Sequence, residues 1–157
     1  MKLRSPISLA ALMFALATAP AMALTPPPVI VATAVASNLG DSIHVPVGTS
    51  VFFLVKATNS GGTAPVTVTT NTGRATLPIT MFMCQVKMVS GQPEQCLDPI
   101  PSESLTGSFP AAANEDFYVA VTAHGHIPST VEGNLIPIQF SSGEFDIGTA
   151  TMGVTTN

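Results

Sequence analysis

The sequence predicts an all-β protein, a sandwich of about eight or nine short antiparallel strands. Three observations predict it. Apolar, β-branched or alternating runs recur every 8–15 residues or so, separated by Gly, Pro, Asn and Ser turn signals. No segment beyond the leader carries the 3.6-residue apolar period of an amphipathic helix. The two cysteines of the chain, Cys84 and Cys96, flank a Gly-Gln-Pro turn signal, the spacing of a clamp on one hairpin.

The leader stands apart. Residues 1–23, "MKLRSPISLAALMFALATAPAMA", place Lys2 and Arg4 ahead of an apolar run from Ile7 to Ala17 and end in Ala21-Met22-Ala23. That is the layout of a secretory signal peptide, with cleavage expected after Ala23. The run is about half the length a bilayer span needs, and no Cys stands directly after it for lipid attachment. Of 157 residues, 134 remain (24–157), enough for one domain with a core of its own. Three bases (Lys56, Arg74, Lys87) face nine acids there, a formal charge of −6. A chain so poor in cations has no patch for phosphates, which excludes nucleic-acid binding. No second long apolar segment follows, so no membrane span is expected after cleavage. The expected location is secreted, periplasmic or at the cell surface.

Pro26 to Pro28 predict an extended, solvent-facing start. Val29 to Ala36 is a β-branched first strand. "SIHVPV" is a short strand interrupted by Pro46, which places it at an edge or kink. Val51 to Thr58, in the most apolar stretch "VFFLVKATN", is a central strand. "SGGTAP" is a loop, and "VTVTTN" alternates with period 2. "ATLPITMFMCQVKM" is a strand with Pro78 inside it, expected at an edge or changing sheet. "CLDPIPSES" is irregular, "SLTGSF" is a short strand, and "PAAANED" is a connection with room for one helical turn. "FYVAVTAH" puts Phe117, Val119 and Val121 on one face and Tyr118, Ala120 and Thr122 on the other. "NLIPIQF" and "DIGTATMGVTT" close the chain as strands.

Export gives the cysteines their meaning. An oxidising compartment and a single possible internal pairing predict one disulfide, Cys84 to Cys96, pinning a hairpin or loop base. A loop this short gives roughly 3 kcal/mol in the chain-entropy model. The bond reads as structural, so its reduction is expected to lower stability and leave any binding site intact. A redox CxxC motif is excluded by the spacing. The missing Trp and the close cysteines also exclude a standard antibody-type domain.

Residues 68–157 resemble a repeat of uncharacterised secreted proteins of Gram-negative bacteria. The matching positions are Gly73, Ala75, Thr76, Leu77, Pro78, Thr80, Cys84, Gly91, Gln92, Cys96 and Leu97, followed by "FYVAV", "NLIPIQF" and "GTATMGVTT". The turn "QVKMVSGQPEQ" departs from that repeat's Asn-Pro-Ala-Thr-Gly-Gln type. The resemblance implies an Ig-like antiparallel β-sandwich module.

Candidate chemistry is sparse. His124 and His126, i and i+2, project to one side of an extended segment roughly 7 Å apart, and with His44 they could hold zinc or copper. Solvated histidines at a strand end are the simpler reading. Met81 and Met83 share a strand face with Met88 just beyond, a thioether set that could hold Cu(I) but more commonly fills a core. Phe82 alternates with them, so one face there is partly exposed. Glu115-Asp116 and Glu144 with Asp146 could pair as acids for glycoside cleavage or calcium, yet sit in no recognisable ligand loop. No Gly-x-Ser-x-Gly occurs, and "NSGGTAP" lacks the helix and Lys of a phosphate cradle. No catalytic residue, cofactor or stoichiometric metal is expected.

The expected function is a non-enzymatic secreted or cell-surface module for adhesion, partner binding or envelope structure. Its partner would be an unknown protein or glycan, or a further copy of the chain. Two alternatives belong to other classes. One is a pilus or fibre subunit that donates "VIVATAVA" to a neighbour. The other is a periplasmic copper or zinc binder.

Overall fold

Alternation builds both layers of the molecule. In the computed structural model, Phe117, Val119, Val121 and Ala123 are buried while Tyr118, Ala120 and Thr122 lie half-buried on the opposite face. The structure describes residues 25–37, 40–72, 77–90, 92–98, 101–129 and 134–156, with the backbone alone for 88 and 92–94. The predicted signal peptide, Arg74, and Gly73, Ala75, Thr76 and Gly91 of the repeat pattern lie outside the described residues.

Ten strands are present among the described residues. They are β1 (Ile30–Ala36), β2 (Ser42–His44), β3 (Ser50–Asn59), β4 (Ala64–Thr70), β5 (Ile79–Val89), β6 (Gln92–Cys96), β7 (Ser104–Phe109), β8 (Asn114–Ala123), β9 (Leu135–Ser142) and β10 (Phe145–Thr155). They form two five-stranded sheets, ordered β1-β3-β8-β5-β6 and β2-β10-β9-β4-β7. The run β1-β3-β8-β5 occupies the places of A-B-E-D in an immunoglobulin-type sandwich, and β10-β9-β4 those of G-F-C. The fold is therefore an Ig-like β-sandwich. Its ladders are antiparallel except β2 against β10, which is parallel.

The differences from the sequence reading have local causes. The tenth strand, β6, folds back on β5 with Cys96 opposite Val86 and Gln92 opposite Val89; its Pro93 hides it from a β-propensity reading. Pro78 does not interrupt a strand or mark an edge. β5 begins just after it and lies inside the sheet, between β8 and β6. The Pro78 carbonyl accepts the His124 N–H at 2.7 Å. "PAAANED" forms no helical turn, but a tight turn with Ala112 at φ 58°. The proline start is exposed at Pro26 and Pro27 yet tied down, since Gly62 N–H reaches the Pro27 carbonyl at 3.2 Å and Ser60 N–H the Val29 carbonyl at 2.8 Å. Pro137 sits in β9, an inner strand. Its carbonyl accepts from Asn71 N–H at 3.3 Å on the β4 side, where the β4 ladder has already ended at Thr70 opposite Ile138. Its missing donor therefore breaks no ladder bond.

The core lies between the sheets. Phe53, Met83, Phe140, Ile136, Ile138 and Met152 are fully buried. Phe117 of β8 meets Phe140 of β9 edge to face, 6.0 Å between centroids at 67°, a contact worth about 0.5–1.5 kcal/mol beyond its buried area. On one side the sandwich is shut by a backbone approach. β10 bulges between Asp146 and Gly148, and Gly148 lies so close to the Ile30 carbonyl of β1 that a Cβ there would stand 2.5 Å from the oxygen. On the opposite side, flanked by β6 and β7, Ser102 just ahead of β7 bridges to Met83 of β5, with Met83 N–H donating to the Ser102 carbonyl at 2.8 Å and Ser102 N–H to the Met83 carbonyl at 3.1 Å.

Candidate functional site

The outer face of the first sheet carries aromatic side chains in register. Phe52 of β3 pairs with Ala120 of β8, which pairs with Phe82 of β5. The next row holds Leu54, Tyr118 and Cys84. Phe52 is 56% exposed and Phe82 43%. The small Ala120 between them leaves a hollow, and Tyr118 stands edge to face with Phe52 at 6.3 Å and 66°. Cys96 and Pro101 close the far side of an apolar pocket of ≈ 90 Å³. Leu97, 53% exposed, follows the disulfide.

Polar rows border this patch on both sides. Ser50, Thr122 and Thr80 form one, with Ser50 Oγ and Thr122 Oγ1 2.6 Å apart. Lys56 stands opposite Asp116 in the other. An apolar centre inside a polar rim is the anatomy of a binding face. Exposed aromatic side chains in contiguous patches mark interaction sites more than they mark ordinary surface.

The sequence-predicted metal residues do not converge. His124 Nε2 lies 2.6 Å from Thr80 Oγ1, in the first sheet. His126 Nδ1 lies 3.2 Å from Thr156 Oγ1, just past β10 of the second. His44 ends β2 and is exposed. Among the described residues no group of three or more His, Cys, Asp or Glu could hold a metal ion. Met81 and Met83 are buried in the core, with Phe82 turned outward between them. Glu115 accepts from Gln85 Nε2 at 2.5 Å, while Asp116, its neighbour, faces the opposite side of the strand. Glu144 and Asp146 are exposed around the β9–β10 turn.

The disulfide joins Cys84 to Cys96 across the β5–β6 hairpin, Cα atoms 5.5 Å apart. It also forms part of the aromatic pocket's wall. Phe52 was legible but missed: adjacent phenylalanines in one strand cannot both face the core, so either Phe52 or Phe53 had to face out.

No family model matches the chain, and no curated protein matches it. Similar solved structures exist at low identity. A CARDB domain of a Pyrococcus furiosus protein, solved with di-metal ions, is 12% identical at a TM-score of 0.41, over 82% of this chain and 92% of that one. AvmM, which catalyses macrocyclization in alchivemycin A biosynthesis, is 12% identical at 0.37, over 79% and 88%. A PapD-like (ASH) domain of human CEP192 is 11% identical at 0.36, over 98% of both chains. At these values none of them carries metal, activity or partner across to this chain. Among the described residues no helix is long and apolar enough to cross a membrane.

Proposed function

We propose that the chain is a non-enzymatic partner-binding module of the cell exterior or periplasm, and that its partner docks on the aromatic face of β3, β8 and β5. The observation that carries this reading is the row Phe52-Ala120-Phe82, with two phenylalanines more than two-fifths exposed on one face. Burying a Phe side chain is worth about 1.5–3 kcal/mol relative to leaving it in water. Two such side chains with Tyr118 supply an anchor of the kind that dominates interfaces. The leader and the disulfide support export, and the likeness to repeats of secreted Gram-negative proteins supports a modular role. The partner is a protein surface. Phe and Tyr anchors inside a polar rim are what protein interfaces use.

The strand-donation alternative is the weaker one. β1 pairs with β3 of its own chain over seven residues and gives Ile30 and Ala36 to its own core. The test of the favoured reading is site-directed photocrosslinking in the protein's own cells. A photoreactive phenylalanine at position 82 is expected to capture one dominant species. The same group at exposed Thr151 of β10 is expected to capture none. Equal yields from both positions would remove the aromatic face from the account.

A further inference from the structure

Three of the four sheet edges are blunted, as exposed edges usually are. β6 carries Pro93 and Glu94. β2 is three residues long and soon meets Pro46. β1 has Gly148 of β10 against its Ile30 carbonyl. β7 is different: six residues, Ser-Leu-Thr-Gly-Ser-Phe, without a charge or a proline.

Its main chain is aimed outward at defined positions. The register sets Pro65, which has no N–H, opposite Ser108, and Thr67 opposite Thr106. Thr67 and Thr106 hydroxyls touch at 2.9 Å, as side chains do in non-hydrogen-bonded pairs. Thr70 N–H donates to the Glu103 carbonyl at 3.1 Å. The ladder to β4 therefore uses Glu103, Leu105, Gly107 and Phe109, and the N–H and C=O of Ser104, Thr106 and Ser108 point away. The Ser102 hydroxyl serves both groups of Ser104. Among the described residues nothing pairs with the main chain of Thr106 and Ser108 on that side.

A cleft of ≈ 40 Å³ runs beside this edge, between β7 and the first sheet. That is room for a few waters at about 10–15 Å³ each. Gly107 opens it, since a Cβ at Gly107 would meet nothing within 4 Å. Its floor is apolar, with buried Val66, Val68, Phe109 and Phe117. Its far wall carries two carboxylates steered by one residue. Gln85 N–H donates to Asp98 Oδ2 at 2.6 Å and Gln85 Nε2 to Glu115 Oε2 at 2.5 Å. Among the described residues no Lys or Arg lines the cleft.

We infer that β7 accepts an added strand, an extended segment of a partner protein that places one Lys or Arg side chain into this cleft. Main-chain bonds to Thr106 and Ser108 give the pairing. The aliphatic stem of the inserted side chain covers the apolar floor, and its cationic head meets Asp98 and Glu115. This surface lies beside β7 and shares no lining residue with the aromatic pocket, so either can fail without the other.

The test uses the exported protein, isotope-labelled, and a capped peptide, Thr-Val-Thr-Lys-Thr-Val-Thr, followed by amide NMR. Saturable shifts at Thr106 and Ser108 are expected, with binding about tenfold or more weaker when Glu replaces the peptide's Lys. Gly107→Ile fills the cleft and is expected to abolish binding without lowering the melting temperature. Should that variant fail to fold, Asp98→Asn with Glu115→Gln keeps both hydrogen bonds and is expected to bind the two peptides alike. The inference is overturned if Thr106 and Ser108 do not shift at millimolar peptide, or if the wild type binds both peptides equally. It is also overturned if the free protein is a dimer whose own β7 edges protect those amides.

Discussion

Asn59 holds together three segments that are distant in sequence. It is fully buried, and its Nδ2 donates to the carbonyls of Gly62 at 2.8 Å, Phe109 at 3.1 Å and Pro110 at 3.2 Å. Its Oδ1 accepts from Val29 N–H at 3.3 Å and Gly61 N–H at 3.0 Å. Asn59→Ala leaves several of these main-chain groups without a partner, and denaturant unfolding is expected to show a loss of about 3 kcal/mol. Ala112 holds a left-handed conformation at φ 58°, which a Cβ disfavours. Ala112→Gly is therefore expected to raise stability by about 0.5–1 kcal/mol in the same assay; a loss would mean that the turn is unstrained. Gly148→Ala drives a Cβ against the Ile30 carbonyl, with an expected cost of about 1–3 kcal/mol. Little of this was legible in the sequence. "NSGG" reads as a loop by composition, and nothing local announces that its Asn reaches residues 50 and 51 positions further on. Metal is the exception, because His124 and His126 were visible as a pair. Their hydroxyl partners on opposite sheets predict well under one zinc or copper per chain by elemental analysis, and a stoichiometric ion would restore the metal-binding alternative.

At the scale of elements, the strands with clear period-2 alternation were readable and those shaped by proline were not. β8 and β4 follow the alternation of "FYVAV" and "VTVTT" residue by residue. Pro78 misled because a proline next to a strand and a proline within one look alike in sequence; its ring stands just before the ladder of β5, whose first pair is Ile79 with Ala123. The β5–β6 hairpin was readable from its cysteines, but its second strand was not, since Gln-Pro-Glu-Gln has no strand propensity of its own. Replacing Cys84 and Cys96 by Ser is expected to cost about 3 kcal/mol. It is also expected to change the emission of Tyr118, which lines the same pocket as the disulfide. Tyr118 is a clean reporter, being the one Tyr in a chain without Trp. Unchanged emission on reduction would separate the bond from the aromatic face.

The whole molecule is a sandwich closed by the Gly148–Ile30 approach on one side and bridged by Met83 and Ser102 on the other, with one outer face polar-rimmed and aromatic at its centre. The sandwich itself was legible, because turn spacing and alternation are properties of the chain alone. The face was half legible: alternation requires an outward Phe in "VFFLV" and in "MFM", but whether two such residues meet depends on β3 and β5 both flanking β8. That is a matter of strand order, which no local pattern encodes. Native mass spectrometry of the protein from its own cells, beside a Phe52→Thr, Phe82→Thr variant with an unchanged melting temperature, decides whether the aromatic face holds a partner. A partner mass is expected on the wild type and lost from the variant. A bare monomer in both, or a partner retained by the variant, would contradict docking on that face.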